Sequence, residues 1–349
     1  MLSRVAESIY WLNRYVERAE NVARFVDVNL NLILDSPSGT AQQWEPLVVT
    51  TGDLPLFQER YGEATAENVI QFLTFDKDCP NSIFSCLEVA RKNAGTIRQF
   101  ISREMWQQVN AFYFMVKEAD PGQSLSVLHD FFTEVKMASH LFAGVMDATM
   151  SHNEGWHFGK MGRLIERVDK TSRILDVKYF ILLPREFAYI GEPQRESSPL
   201  RRETLLQGCL TANASSSFED VGNTLDEIGW MALLKSASAY EMYRKRIQHR
   251  ITSKGVAEFL ILEREFPRSI QFCLLEAEKS LHQITGTPVG TWRNPAERSL
   301  GRLRSYLDYL TIEEIIQSGL HEFLDDLQRQ INGVGDKIAE TFFALEPRS

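Results

Sequence analysis

The residues best suited to chemistry in this chain are arginines and glutamates at helical spacing, and they occur twice. Residues 14–28 read RYVERAENVARFVDV and residues 163–177 read RLIERVDKTSRILDV, aligning without gaps at an offset of 149. Arg14, Glu17, Arg18, Arg24, Asp27 and Val28 are matched by Arg163, Glu166, Arg167, Arg173, Asp176 and Val177, and Glu20 becomes Asp169. On a helix, the 3-4-3 spacing places Arg14, Glu17, Asn21 and Arg24 on one face, with Arg163, Glu166, Lys170 and Arg173 at the corresponding places. Guanidinium groups recognise carboxylates and phosphates through a planar fork. Three chemistries follow. The face is a solvated row of ion pairs, a buried Arg–Glu network, or a cleft for a phosphate or an anionic, carboxylate-rich peptide. In a cleft, Glu17 or Glu166 becomes a candidate general base, although adjacent arginines oppose the neutral-range pKa such a base needs. The retention of Arg and Glu in both copies, where Lys or Asp would serve a solvated face, favours an enclosed network or cleft.

The elements that must carry these residues are helices. Residues 4–35 set Ile9, Leu12, Val16, Ala19, Ala23, Val26, Leu30 and Ile33 at 3–4 spacing, an apolar stripe opposite the charged face. Helices are also expected at 80–94, 96–118, 122–150, 157–183, 222–249, 267–285, 294–310 and 312–343, with Pro80, Pro267 and Pro295 near helix starts. Period-2 alternation is not sustained anywhere. A second match joins 68–90 to 255–277 at an offset of 187, through V-x-x-F-L, an acidic pair and P-x-S-I-x-x-C-L-x-x-A. Both matches keep their order, so the expected fold is an all-α helical bundle built by internal duplication, with halves 1–150 and 151–349 packed as one unit. The larger second offset places extra residues in the second half, much of them expected in a Pro/Gly/Ser-rich loop at 184–203.

Weaker constellations are Arg91, Asn93, Arg98, Arg103, Glu104, Trp106 and Asn110 on one expected helix, and Arg268 in Pro-Arg-Ser at a helix start. Arg98 and Arg268 join the candidate anion-binding residues, although a plain N-terminal turn is the favoured reading of the latter. Glu297, Arg298 and Arg304 echo the Glu17 spacing in a frame that otherwise does not match. His152, Glu154 and His157 have no known ligand spacing, and ordinary surface histidines are the better reading. No phosphate loop, nucleophile elbow or dinucleotide fingerprint occurs, so no cofactor is expected.

A chain of 349 residues can bury a large core, and 44% hydrophobic with 24% charged residues is a globular composition. The net charge of −9 argues against a non-specific grip on nucleic acid or an anionic membrane. No run reaches the ~18 apolar residues of a membrane span. The amino terminus lacks an apolar leader, and Cys79, Cys86, Cys209 and Cys273 lack metal-ligand spacing, so a cytoplasmic location with buried thiols is expected.

The segments YWLNRYVERAENVARFVDVN, ARKNAGTIRQFISREMWQQVN, GWHFGKMGRLIERVDKTSRILDVKY and EFLILEREFPRSIQFCL together resemble the alpha-E family, named for helices and a Glu-Arg motif, here Glu17-Arg18 and Glu166-Arg167. The likeness spans nearly the whole chain and is weakest at 184–225. It implies the company of circularly permuted ATP-grasp proteins, with transglutaminase-like proteins and a proteasome-like peptidase as further neighbours. ATP-grasp enzymes join carboxylates to amines, so the resemblance implies a peptide-forming or peptide-modifying system. In it, this chain is expected to be the accessory, non-catalytic helical partner, binding the ligase or a carboxylate- or phosphate-bearing substrate through the face of its duplicated Glu-Arg helices. The alternatives are an enzyme of amide chemistry with a Glu base in an Arg-rich cleft, and a helical scaffold held by a buried Arg–Glu network.

Overall fold

The computed structural model describes residues 1–35, 44–119, 125–182, 224–247 and 249–344. The fold is all-α, and among the described residues there is no strand. Two long helices form its axis: α1 (Ser3–Asp35) and α8 (Glu154–Leu182). Between them come α2 (Glu45–Thr51), α3 (Leu54–Tyr61), α4 (Ala66–Ile70) continuing into a π-helical turn to Phe75, α5 (Ile83–Thr96), α6 (Arg103–Glu118) and α7 (Leu125–Thr149). After α8 follow α9 (Thr224–Ser236), α10 (Tyr240–Arg246), α11 (Ser253–Leu262), α12 (Ile270–Thr285), α13 (Pro295–Asp308), α14 (Ile312–Ser318) and α15 (Leu320–Ile338), which ends in a π-helical turn to Phe343.

The packing has two similar parts. Helix α1 packs on α5 and α7, which α6 bridges; α8 packs on α12 and α15, which α13 bridges. The two rings of four helices share the α1–α8 contact, the most extensive among the described residues. The apolar stripe of α1 enters this core: Ile9, Leu12, Val16, Ala19, Ala23, Val26 and Leu30 are all buried. Burial of such side chains, at about 25 cal/mol per Å2 of apolar surface, is the main drive for assembling the bundle. Close approach of the axial helices needs two glycines on α8. A Cβ at Gly162 would lie 2.4 Å from the Tyr10 carbonyl oxygen, and one at Gly159 would lie 2.6 Å from Asn13 Nδ2.

The Pro-x-Ser sequences act as helix starts. Ser82 Oγ accepts the Ser85 N–H and Ser269 Oγ accepts the Phe272 N–H, satisfying otherwise unpaired first-turn donors. Each hydroxyl also donates back to a carbonyl six residues earlier, Ser82 to Asp76 and Ser269 to Glu263.

Several expected helices divide. The stretch 96–118 does not run as one helix, because α5 ends at Thr96 and Ser102 caps a new start at Arg103. Arg91 and Arg98 therefore do not share a helix with Arg103, Trp106 and Asn110, although Arg91 Nε still reaches Asn110 Oδ1 at 2.7 Å across α5 and α6. The stretch 222–249 breaks at Ser238, whose φ is +50°, and 312–343 breaks at Gly319, where φ is +92°. Helices α2, α3, α4 and α11 were not anticipated, being too short for a clear 3.6-residue period. The expected 184–203 loop and Cys209 lie outside the described residues. Among the described residues no helix is long and apolar enough to cross a membrane.

Candidate functional site

The charged faces of α1 and α8 meet each other. Glu17 and Glu166 are 1% and 0% exposed, and each is gripped by the arginine that follows the other. Arg167 donates from Nε to Glu17 Oε1 and from Nη2 to Glu17 Oε2, both at 2.8 Å. Reciprocally, Arg18 donates from Nε to Glu166 Oε1 at 2.6 Å and from Nη2 to Oε2 at 3.0 Å. These are two bidentate forks of the strongest hydrogen-bonding kind available to side chains. The Glu-Arg dipeptides thus form a crosswise clamp between helices, in which each glutamate serves the opposite strand of the pair.

Each carboxylate receives a second guanidinium, and here the two glutamates differ. Arg14 Nε reaches Glu166 Oε2 at 2.8 Å. Its counterpart Arg163 has no such bond, and its buried Nε has no hydrogen-bond partner. Glu17 instead takes Arg268, whose Nη1 lies 3.1 Å from Oε1. At the place of Arg268, the other Pro-x-Ser turn carries Asn81, which accepts from Arg18 Nη1 at 2.8 Å and donates to Asp53. Arg268 therefore occupies on Glu17 the role that Arg14 has on Glu166, and Arg163 is released. Burial, then repulsion from Arg167, lowers the Arg163 pKa.

The network continues along both helices. Glu20 Oε1 accepts Arg24 Nη2 at 2.6 Å and also Arg268 Nη2, while Ser139 Oγ donates to Oε2 at 2.7 Å. Asp169 accepts Arg173 Nε at 3.0 Å and pairs with Lys170 at 3.1 Å. At the far end, Asp27 pairs with His129 Nδ1 at 2.6 Å, and Asp176 with His321 Nδ1 at 2.7 Å. Those histidines lie in Leu128-His129-Asp130-Phe131 and Leu320-His321-Glu322-Phe323, a third matched segment at an offset of 192 that the sequence reading missed. The mismatch beyond Phe131 and Phe323 hides it, and the matches of Glu20 with Asp169 and of Asp27 with Asp176 do not by themselves name the partners of these carboxylates.

The electrostatics leave these carboxylates unfit as bases. Burial pushes the Glu166 carboxyl up, but Arg18, Arg14 and Lys170 overcome it and hold it well below the usual carboxylate range. Glu17 is held down against burial by Arg167 and Arg268, Glu20 by Arg268 and Arg24, and Asp169 by Lys170 and Arg173. Burial opposes the charge on Arg18 and Arg167 too, yet the facing carboxylates raise both guanidiniums above their ordinary range. Burial lowers Arg268 to about 10, which still leaves it charged at neutral pH. A general base must titrate near neutrality, and these groups are displaced the other way.

The remaining candidates lie apart from the clamp. Arg98 sits in the turn after α5 with its guanidinium 5.3 Å from the Trp106 ring centroid, and makes no ion pair with Glu17 or Glu166. His152 stacks on Trp156 at 4.1 Å and Glu154 pairs with the Met1 amine at 2.8 Å. Among the described residues no group of His, Cys, Asp and Glu is arranged to hold a metal ion. Cys79, Cys86 and Cys273 are buried free thiols, and burial pushes each up to about 12.

Comparison with known proteins agrees with the geometry. Uncharacterized proteins of Mycobacterium bovis and of two Mycobacterium tuberculosis strains are 23% identical over 368 residues, an alignment covering 98% of this chain. The chain spans 37% of the length of those relatives. No solved structure matches it. Residues 1–343 match the family model described as a predicted alpha-helical domain with a conserved ER motif. With that match over nearly the full chain, and with both Glu-Arg dipeptides interlocked at its axis, the protein belongs to the Alpha-E family.

Proposed function

We propose that this chain is a non-catalytic helical partner in an ATP-grasp amide-ligase system, and that its Glu-Arg dipeptides are an internal clamp and not the partner-binding face. The observation that carries the second part is the consumption of both carboxylates. Glu17 and Glu166 are sealed from solvent, each satisfied by two guanidiniums, with pKa values lowered. Carboxylates so enclosed and so charged are out of reach of a substrate and have no tendency to take a proton at neutral pH. Burying charges is costly, and a buried ionic network serves best where it fixes one arrangement of helices against its rivals.

The partner reading draws support from the company of the domain. Nearly all of this chain aligns with only 37% of its mycobacterial relatives, so in those proteins the domain shares a polypeptide with other material. The ligase itself is what the family resemblance suggests, with a transglutaminase-like protein as a second candidate. We also take halves 1–150 and 151–349 to be diverged copies of one unit. The reciprocal forks, the paired Ser caps and the two Asp–His contacts support this, since each occurs at corresponding places.

The test is affinity purification of the tagged full chain from its native cells, with mass spectrometry, beside an activity screen of the purified chain for amide formation and hydrolysis. The reading expects an ATP-grasp protein to co-purify and the isolated chain to be inactive. Capture of no ligase at any salt concentration overturns the partner assignment. Turnover by the isolated chain, abolished by Glu166→Gln in a folded variant, overturns the non-catalytic one.

A further inference from the structure

Away from the clamp, four positively charged side chains line one open cleft. Trp292 and Arg293 lead into α13, Arg298 and Arg302 stand one turn apart on it, and Lys337 faces them from α15. The cleft holds about 700 Å3, and a second recess of about 430 Å3 shares Trp292, Arg298 and Arg302 with it. Ligand sites span roughly 300–1,000 Å3. Asp326 is the one carboxylate among the residues lining the larger cleft, and it is engaged by Arg329 and by the Gln330 amide.

The arginines here lack the carboxylate partners that would offset their charge. Among the described residues, Arg293, Arg298 and Arg302 have no carboxylate partner, whereas neighbouring Arg304 pairs with Glu278 at 2.8 Å and with Asp308. Arg298 and Arg302 are like charges at i,i+4, an arrangement that destabilises a helix. Arg293 and Arg298 also flank the positive end of the α13 dipole, which disfavours cations. An anion in the cleft would reverse both terms.

The helix start is not itself the binding element. Asn294 Oδ1 accepts the Glu297 N–H at 2.9 Å, and Glu297 Oε2 accepts the Arg293 N–H at 2.6 Å. The site is instead made of guanidinium forks, one of them prearranged. Arg298 lies over the Trp292 ring at 5.0 Å, and Trp292 is 59% exposed. Stacking restrains the guanidinium plane while leaving its N–H donors available.

We propose that this cleft binds a compact multivalent oxyanion, either a phosphate ester or an oligocarboxylate. Three unpaired guanidiniums suit several negative charges held close together, while the Lys337 ammonium on the opposite wall is paired with Glu340 at 2.7 Å and would have to share its charge. This goes beyond the partner reading and stands independently of it, since it requires no ligase.

The test is calorimetric titration of the full chain with pyrophosphate and, separately, with citrate, ionic strength being matched with sodium chloride. The expected result is saturable binding of one ion per chain with a dissociation constant of about 1 mM or tighter. Arg298→Ala/Arg302→Ala, at exposed positions, should keep the wild-type melting temperature and weaken binding by about tenfold or more for each guanidinium lost. Lys337→Ala, on the other wall, should weaken it independently. Binding of pyrophosphate alone supports the phosphate ester, binding of citrate alone supports the oligocarboxylate, and binding of both supports a general oxyanion site. Absence of saturable binding by either probe, or affinity unchanged in the double variant, overturns the proposal.

Discussion

Replacing Glu166 by glutamine keeps its volume and one acceptor while removing the charge that Arg14 and Arg18 share. The side chain is 0% exposed, and its two oxygens accept three N–H groups at 2.6–3.0 Å from those arginines. In the variant, two largely buried guanidiniums keep their desolvation cost and lose their anion, and the new amide turns N–H groups toward N–H groups. Breaking a buried pair in this way costs about 3–5 kcal/mol. The contrasting substitution is Asp325→Asn, where Asp325 and Arg329 are 57% and 69% exposed. Exposed pairs contribute about 0–1 kcal/mol, so this variant should be close to wild type. Equilibrium urea unfolding, followed by far-ultraviolet circular dichroism and by tryptophan fluorescence, measures both, coincident transitions establishing two-state behaviour. A Glu166→Gln protein within about 1 kcal/mol of wild type would refute the reasoning. It would mean that the arginines find other partners or solvent, as in an open cleft.

Four further outcomes follow from the same geometry. Glu17, Glu20, Glu166 and Asp169 have folded-state pKa values below their unfolded values, so their contribution is complete above about pH 4.3 and is lost as pH falls through the folded values. These groups should therefore leave stability unchanged from pH 7 to about pH 4.3 and lower it below that by up to about 1.4 kcal/mol per pH unit for each carboxylate, with a shallower fall in Glu166→Gln; stability that rises as pH falls below about 4.3 contradicts it. Arg14→Ala should destabilise by about 2 kcal/mol or more and Arg163→Ala by much less, because only Arg14 holds a carboxylate. Arg268→Asn, which copies Asn81, should draw Arg163 onto Glu17, so that Arg163→Ala becomes costly in that background; additive effects in the double variant would oppose this. Gly162→Ala should cost about 1–3 kcal/mol by calorimetry, because its Cβ would lie 2.4 Å from the Tyr10 carbonyl oxygen in the tightest part of the helix crossing. An unchanged melting temperature would show that α1 and α8 are not held that closely.

The axis of the fold was legible in the sequence because two independent signals coincide there. The 3–4 spacing from Ile9 to Leu30 specified a long amphipathic helix, and the repeated Arg-x-x-Glu-Arg frame marked where a second such helix had to lie. That the charged faces turn toward each other was not legible, since spacing along one helix says which residues share a face and nothing of what covers it. Arg268 shows the same limit. Pro267-Arg268-Ser269 reads as an ordinary helix start, which Ser269 indeed caps, yet the arginine between them turns inward to Glu17 and Glu20. The break at Ser238 was missed because only its left-handed backbone reveals it, whereas Gly319, in Ser318-Gly319, carried a helix-stop signal that the continuing apolar period overrode. Asp27 and Asp176 were visible as a matched pair, but their histidine partners come from α7 and α15, far away in the chain.

The most direct test of the clamp is a double-mutant cycle on its crosswise pair, comparing Glu17→Gln, Arg167→Met and the combined variant by urea unfolding. Neighbouring, hydrogen-bonded charges at 2.8 Å couple strongly, so the account predicts an interaction energy of about 1.5–3 kcal/mol, with the double variant less destabilised than the two single losses together. An interaction energy near zero in a folded protein would contradict it, for Glu17 and Arg167 would then act independently and their fork would not hold the two helices together.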